Sequence, residues 1–332
     1  MTAPWLQSEW SVWQRRRADG RIPHAILICG PEGLGKRELA ADVAGSLLCT
    51  RPQDDARPCG HCRACLLLAA GTHPDFYAVS FELNDEGKLR TEIIVDQMRA
   101  LSEALGKTSQ FGGWRVAVID PADGMNASSF NALLKTLEEP DAKAVLVLVS
   151  DRPSRLPATI HSRCQRIDLR FPPRAQALEW LANSGLRGSA AELALDLAAG
   201  NPGLALRHGN AEHRARLEST LADLAAVAEG RASAHETAGQ WAKDEPIERL
   251  LLSAQAIRVI AWAARGQGSA PKSAAALASL TAAAQFPKLA AWWDHANVVR
   301  EQLKTPLRSD LLLLELLREF RVAMQPPRHA KG

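Results

Sequence analysis

The sequence predicts an α/β domain built on a parallel sheet, followed by an all-helical second half. Three observations carry this prediction. Short apolar runs alternate with stretches of helical spacing up to about residue 170. A glycine-rich segment, Gly30-Pro-Glu-Gly33-Leu-Gly35-Lys36, stands between such a run and the helical stretch after it. Beyond it the chain turns Ala- and Leu-rich with few strand signals.

The elements follow in order. Trp5 to Arg17 reads as a helix, with Leu6, Trp10 and Trp13 on one face. Ala25 to Cys29 is a buried strand ending at Gly30. Glu38 to Leu48 is a helix, Phe76 to Phe81 a strand, and Ile94 to Leu105 a helix presenting Met98, Leu101 and Leu105. Arg115 to Ile119 is a strand ending at Asp120. Phe130, Leu133, Leu134 and Leu137 keep helical spacing until Pro140 stops them. Val145 to Val149 is a strand ending at Ser150, and Arg166 to Leu169 reads as another. Alternating strands and helices imply parallel pairing, and ligands of such sheets bind at the strands' C-terminal ends. Gly30, Asp120 and Ser150 should therefore lie close together. Phe171-Pro172-Pro173 reads as a boundary, Gly266 to Ser269 as a loop, and Leu311 to Phe320 as a last apolar helix capped by Ser309 or Asp310.

Composition sets limits on function. The 332 residues allow two or three domains, and 46% hydrophobic residues allow a sizeable core. A net charge of +3 does not mark a nucleic-acid binder, so DNA contact would need local basic patches; Arg15, Arg16 and Arg17 are basic enough to be candidates, but read first as a solvated helix end. Glu9 interrupts the first apolar stretch, and no run is long enough for a membrane span. The chain is expected to be soluble and cytoplasmic, without a membrane partner.

The glycine-rich segment has the strand-to-helix context of a phosphate-binding loop. Gly30, Gly33 and Gly35 would let backbone N–H groups approach phosphates, and Lys36 would reach the terminal ones. The next residue should be Ser or Thr to hold magnesium, but it is Arg37. A guanidinium has no lone pair for a metal and carries like charge. Asp120 ends its strand where a metal-positioning aspartate belongs, yet Pro121 follows where a carboxylate would polarise water. ATP binding stays open; hydrolysis is not expected.

Cys49, Cys59, Cys62 and Cys65 are spaced C-x9-C-x2-C-x2-C. Four thiolates at this spacing close a structural tetrahedral zinc site with no open position. His61 reads as a loop residue beside that complete set. Cys29 and Cys164 read as ordinary small residues.

Several pieces resemble one family. Pro23-His24-Ala25, the cysteine insertion, Leu133-Leu134-Lys135-Thr136-Leu137-Glu138-Glu139-Pro140 and Ser162-Arg163-Cys164 are similar to the clamp-loader branch of the AAA+ ATPases. Within that branch the chain is similar to the delta-prime class of bacterial DNA polymerase III subunits. Arg37 and Pro121 depart from the motor pattern, as does Gly203 where a motor has a sensor 2 arginine. An active motor subunit of the gamma/tau type is the alternative. A partner-free zinc-dependent DNA-binding protein is a third reading, against which the modest charge argues.

The resemblance implies an AAA+ fold in three parts. Residues 1–168 would form a RecA-like domain with the zinc module at 49–65, residues 169–208 a helical lid, and residues 209–332 a helical collar for oligomerisation. It implies a component of a DNA-directed DNA polymerase that supports loading of the sliding clamp on primed DNA. The partners would be gamma/tau motor subunits and the clamp-opening delta subunit. Arg163 would enter a neighbour's ATP site as an arginine finger, and Ser150 would hold the sensor 1 position. The helix from Leu311 is either a collar contact or plain core.

Overall fold

The structure, a computed structural model, describes residues 3–264 and 284–325. The loop expected at Gly266 to Ser269 lies outside the described residues. The chain divides into two compact units, Met1–Phe171 and Pro172–Gly332.

The first unit runs α1 (Gln7–Ala18), β1 (Ala25–Cys29), α2 (Lys36–Leu48), α3 (Arg63–Ala69), β2 (Phe76–Val79), α4 (Val95–Leu105), β3 (Arg115–Ile119), α5 (Ala127–Glu138), β4 (Ala144–Ser150), α6 (Ala158–Arg163) and β5 (Gln165–Asp168). Its five strands are ordered β2-β3-β4-β1-β5, and every pair is parallel. The expected α/β fold is therefore present, and central strands β1 and β4 are buried along their whole length.

The two-residue period of a strand splits these runs between two cores. Ala25, Leu27 and Cys29, with Leu146 and Leu148, meet α4 and α5 through Met98, Leu101, Leu105, Phe130 and Leu133. Ile26 and Ile28, with Val145, Val147 and Val149, meet Leu39 and Val43 of α2 and the N-terminal Leu6, Trp10 and Trp13. The sheet is thus covered on both faces, as parallel sheets must be.

Strand β2 is shorter than expected and ends at Val79. Its neighbour β3 runs out at Ile119, and the Asp120 N–H makes the last bond, to the Val79 carbonyl at 3.0 Å. Pro121 has no N–H with which to continue the ladder.

The second unit is helical among its described residues. Helices α7 (Arg174–Asn183), α8 (Gly188–Leu197) and α9 (Pro202–His208) share a small core of Ala177, Leu181, Leu195 and Ala205. Helices α10 (Ala211–Ala228), α11 (Ala234–Trp241), α12 (Pro246–Ala264), α13 (Phe286–Gln302) and α14 (Ser309–Ala323) enclose a larger one around Trp241, Trp292, Leu313 and Phe320. Helix α14 starts earlier than expected: Arg308 is its N-cap, so Ser309 and Asp310 lie inside the first turn. There Asp310 faces the helix's positive pole and pairs with Arg308 at 2.6 Å. Leu313, Leu314, Leu316 and Leu317 are buried in the core, whereas Leu311 is exposed.

Candidate functional site

The glycine-rich loop follows β1 and opens α2. Gly30, Gly33 and Gly35 all have positive φ, at 143°, 84° and 87°. A Cβ on Gly30 would stand 2.6 Å from the Leu169 carbonyl oxygen, and one on Gly35 would stand 2.8 Å from Leu6 Cδ1. Trp5 braces the loop by donating from Nε1 to the Leu34 carbonyl at 2.9 Å.

Lys36 does not extend outward as the loop motif suggests. It is 4% exposed, and its Nζ donates to the carbonyls of Gly30 at 2.7 Å and Pro31 at 2.6 Å. It also pairs with Asp151 Oδ1 at 2.6 Å. A buried ammonium needs a counter-charge and acceptors, and these three groups supply both.

Arg37 turns to the neighbouring strand end. Its Nε pairs with one Asp120 oxygen and its Nη2 lies 3.4 Å from the other. The hydrogen bond to Asp120 also raises the guanidinium's pKa above its ordinary value. Ser150 is fully buried, and its hydroxyl donates to Asp123 Oδ1 at 2.7 Å. The same oxygen accepts the Asp151 N–H at 3.1 Å. The strand ends after β1, β3 and β4 thus converge as the topology requires, with each cation already matched to a carboxylate. The sequence reading missed Asp151 and Asp123. The only signal was their place beside the ends of β4 and β3.

The four cysteines come together between α2 and β2. Cys49 is the C-cap of α2, Cys62 the N-cap of α3, and Cys65 lies in the first turn of α3. All four sulfurs lie within 4.8 Å of one another. Cys49 and Cys62 are 3.8 Å apart, and Cys59 and Cys65 are 3.9 Å apart. A tetrahedral ion with metal–sulfur bonds of about 2.3 Å has edges of about 3.8 Å, so the donor set fits zinc. Backbone N–H groups of Cys59, Cys62 and Cys65 point at Sγ of Cys49, Cys59 and Cys62 at 3.3, 3.3 and 3.5 Å. Burial pushes the Cys62 thiol up, but hydrogen bonds from Thr50 and from the Cys65 backbone outweigh it and bring it down to about 5. His61 stays outside the cluster and turns Nδ1 to the Cys59 carbonyl at 2.8 Å. Burial pushes Cys29 up to about 11 and Cys164 up to about 12, which makes both poor nucleophiles.

Helix α1 ties the cysteine loop to the rest of the unit. Trp10 Nε1 and Gln14 Nε2 both donate to the Asp55 carbonyl, at 3.0 and 2.6 Å. Arg57 stacks over the Trp10 ring at 5.2 Å and pairs with Asp42 of α2 at 3.3 Å. The segment from Trp5 to Gln14 therefore holds both the glycine-rich loop and the cysteine loop.

Arg163 is the last residue of α6 and is 32% exposed. Its Nη2 donates to Glu138 Oε1 at 2.5 Å, and its Nη1 to the Thr159 carbonyl at 3.2 Å. Glu138 was not anticipated as its partner. Gly203 sits in the first turn of α9, where Asn201 caps the helix by accepting the Leu204 N–H at 3.1 Å.

Among the described residues, no helix is long and apolar enough to cross a membrane. Residues 6–173 match the family model described as DNA polymerase III, delta subunit. The chain is 43% identical over 218 residues to DNA polymerase III subunit delta' of Pseudomonas aeruginosa, covering 65% of this chain and 64% of that protein. It is 39% identical over 204 residues to the same subunit of Escherichia coli, covering 61% and 59%. The matched region thus spans less than two thirds of either relative. A gamma subunit-related protein of DNA polymerase III from Thermotoga maritima superposes with a TM-score of 0.45 at 19% identity, over 95% of this chain and 100% of that one. On the family model's match across half its length, this chain belongs to the DNA polymerase III delta subunit family.

Proposed function

We propose that the chain is the stationary, delta-prime-type subunit of a clamp loader. It supports ATP-driven loading of a ring-shaped clamp on primed DNA in the cytoplasm, beside gamma/tau-type motor subunits and a clamp-opening delta subunit. It lends Arg163 to a neighbour's ATP site and hydrolyses no ATP itself. Its described helices α7–α9 and α10–α14, each with its own core, serve as lid and collar. The four cysteines hold a structural zinc ion.

The Arg37–Asp120 pair carries this reading. An ATPase of this type needs a hydroxyl after the loop lysine and a carboxylate at the next strand's end to place magnesium. Here a guanidinium replaces the hydroxyl and occupies the carboxylate as well. Pro121 then stands where water would be activated. Together these changes remove several kcal/mol of transition-state stabilisation, on the scale known for single phosphoryl-transfer groups. Arg163, by contrast, stands at an accessible helix end, where a guanidinium can meet a phosphate from outside.

Two measurements test the proposal. Arg163→Ala in the assembled complex should cut DNA-dependent ATP turnover; unchanged turnover would refute the finger role. The purified chain should show no magnesium-dependent hydrolysis, and robust turnover would make it a motor subunit instead.

A further inference from the structure

We propose that Glu138 is a positioning residue for Arg163: it holds the guanidinium in a set orientation and yields it to the phosphate of the adjoining site. This rests on the reading that Arg163 acts in that site.

The two residues stand on unequal supports. Helix α5 is capped by Asn126, which accepts the Ser129 N–H at 3.0 Å, and is anchored by buried Phe130, Leu133 and Leu137. It ends at Glu138 because Glu139 precedes Pro140 and is pushed out of helical geometry. Glu138 is therefore the last residue on a firmly packed element. Helix α6 has six residues, of which only Ile160 is buried. A long arginine side chain at the end of so short a helix has many rotamers open to it.

Glu138 narrows that choice. Nη2 donates to Glu138 Oε1 at 2.5 Å, while Nη1 reaches the Thr159 carbonyl at 3.2 Å and the Ser162 hydroxyl at 3.3 Å. These contacts orient the guanidinium plane, and Arg163 itself closes α6 at the helix end where cations are favoured. Glu138 is 51% exposed, so the pair is weak in water and easily exchanged. A phosphate carrying more charge than a carboxylate displaces it. The arginine then arrives already oriented, and less rotamer freedom is lost as the transition state forms.

The test uses the assembled complex and steady-state ATP turnover. Glu138→Ala should lower kcat roughly tenfold with KM for ATP unchanged, a smaller loss than the roughly 10³-fold of a missing finger. Glu138→Gln should restore most of the rate, since its amide oxygen still accepts one hydrogen bond. In an Arg163→Ala background, Glu138→Ala should have no further effect. Thermal unfolding of each variant checks that the chain still folds. If Arg163→Ala lowers kcat but Glu138→Ala does not, the pair is a surface ion pair only and the proposal fails. An equal loss from Glu138→Ala in both backgrounds shows action through the fold and also overturns it. No effect of Arg163→Ala removes the finger itself, and the positioning role with it.

Discussion

Arg37, on the first turn of α2, is paired through its guanidinium with Asp120 at the end of β3. One contact thus engages two positions that a magnesium-dependent ATPase keeps for its metal. Arg37→Thr would free Asp120 and supply a hydroxyl. Magnesium-dependent ATP affinity should then rise roughly tenfold, the worth of one strong polar contact. Hydrolysis should remain absent, because Pro121 offers no carboxylate for water. Calorimetric titration and a phosphate-release assay check the two halves; turnover in the single variant would show that Pro121 is not a barrier.

Lys36 depends on Asp151 for its counter-charge. Asp151→Asn leaves an ammonium only 4% exposed with neutral acceptors alone. Asp151 is itself 32% exposed, so the loss stays below that of a fully buried pair, at about 1–3 kcal/mol of stability. Urea unfolding reads it directly. An unchanged midpoint would mean that Lys36 is satisfied by the Gly30 and Pro31 carbonyls.

If the four cysteines hold zinc as proposed, removing it should be felt beyond them. With the four sulfurs unlinked, the segment around Asp55 loses its frame, and so do the bonds from Trp10 and Gln14. Hydrogen exchange after chelation should rise across residues 49–65 and in α1. Cys62→Ser should lower the bound zinc to background and destabilise the chain by several kcal/mol, in the range of a lost metal site. Exchange confined to the cysteine loop would show that α1 holds without it.

His208 gives the second unit an acid sensitivity. Burial, then the neighbouring His213 and Arg207, pull its pKa down to about 4. The unfolded chain has an ordinary histidine near 6.5, so it binds the extra proton first. Stability is therefore full above about pH 6.5 and falls as pH drops toward about 4, by on the order of 3 kcal/mol. His208→Gln should flatten this part of the stability–pH curve. A wild-type curve that stays level between those pH values would exclude a buried neutral His208.

The parts legible in the sequence were those with one-dimensional signatures. Ala25–Cys29 and Val145–Val149 are apolar throughout because both sheet faces are covered. The cysteine spacing announced its cluster because three ligands come from one short loop. Helix α3 was overlooked, since seven residues give too little periodicity; the sign was Cys62 three residues before Cys65, capping that helix. The pairings of Lys36 with Asp151 and Arg163 with Glu138 were not legible either. They join residues far apart in sequence: the pairing of β1 with β4 brings the first together, and the packing of α6 on α5 the second.

The most direct test compares two variants in the reconstituted complex, Arg163→Ala and Lys36→Ala, by DNA-stimulated ATP turnover. A subunit whose own site is silent while its arginine serves a neighbour should lose turnover with Arg163→Ala and keep it with Lys36→Ala. Turnover lost with Lys36→Ala and kept with Arg163→Ala would contradict that division of roles.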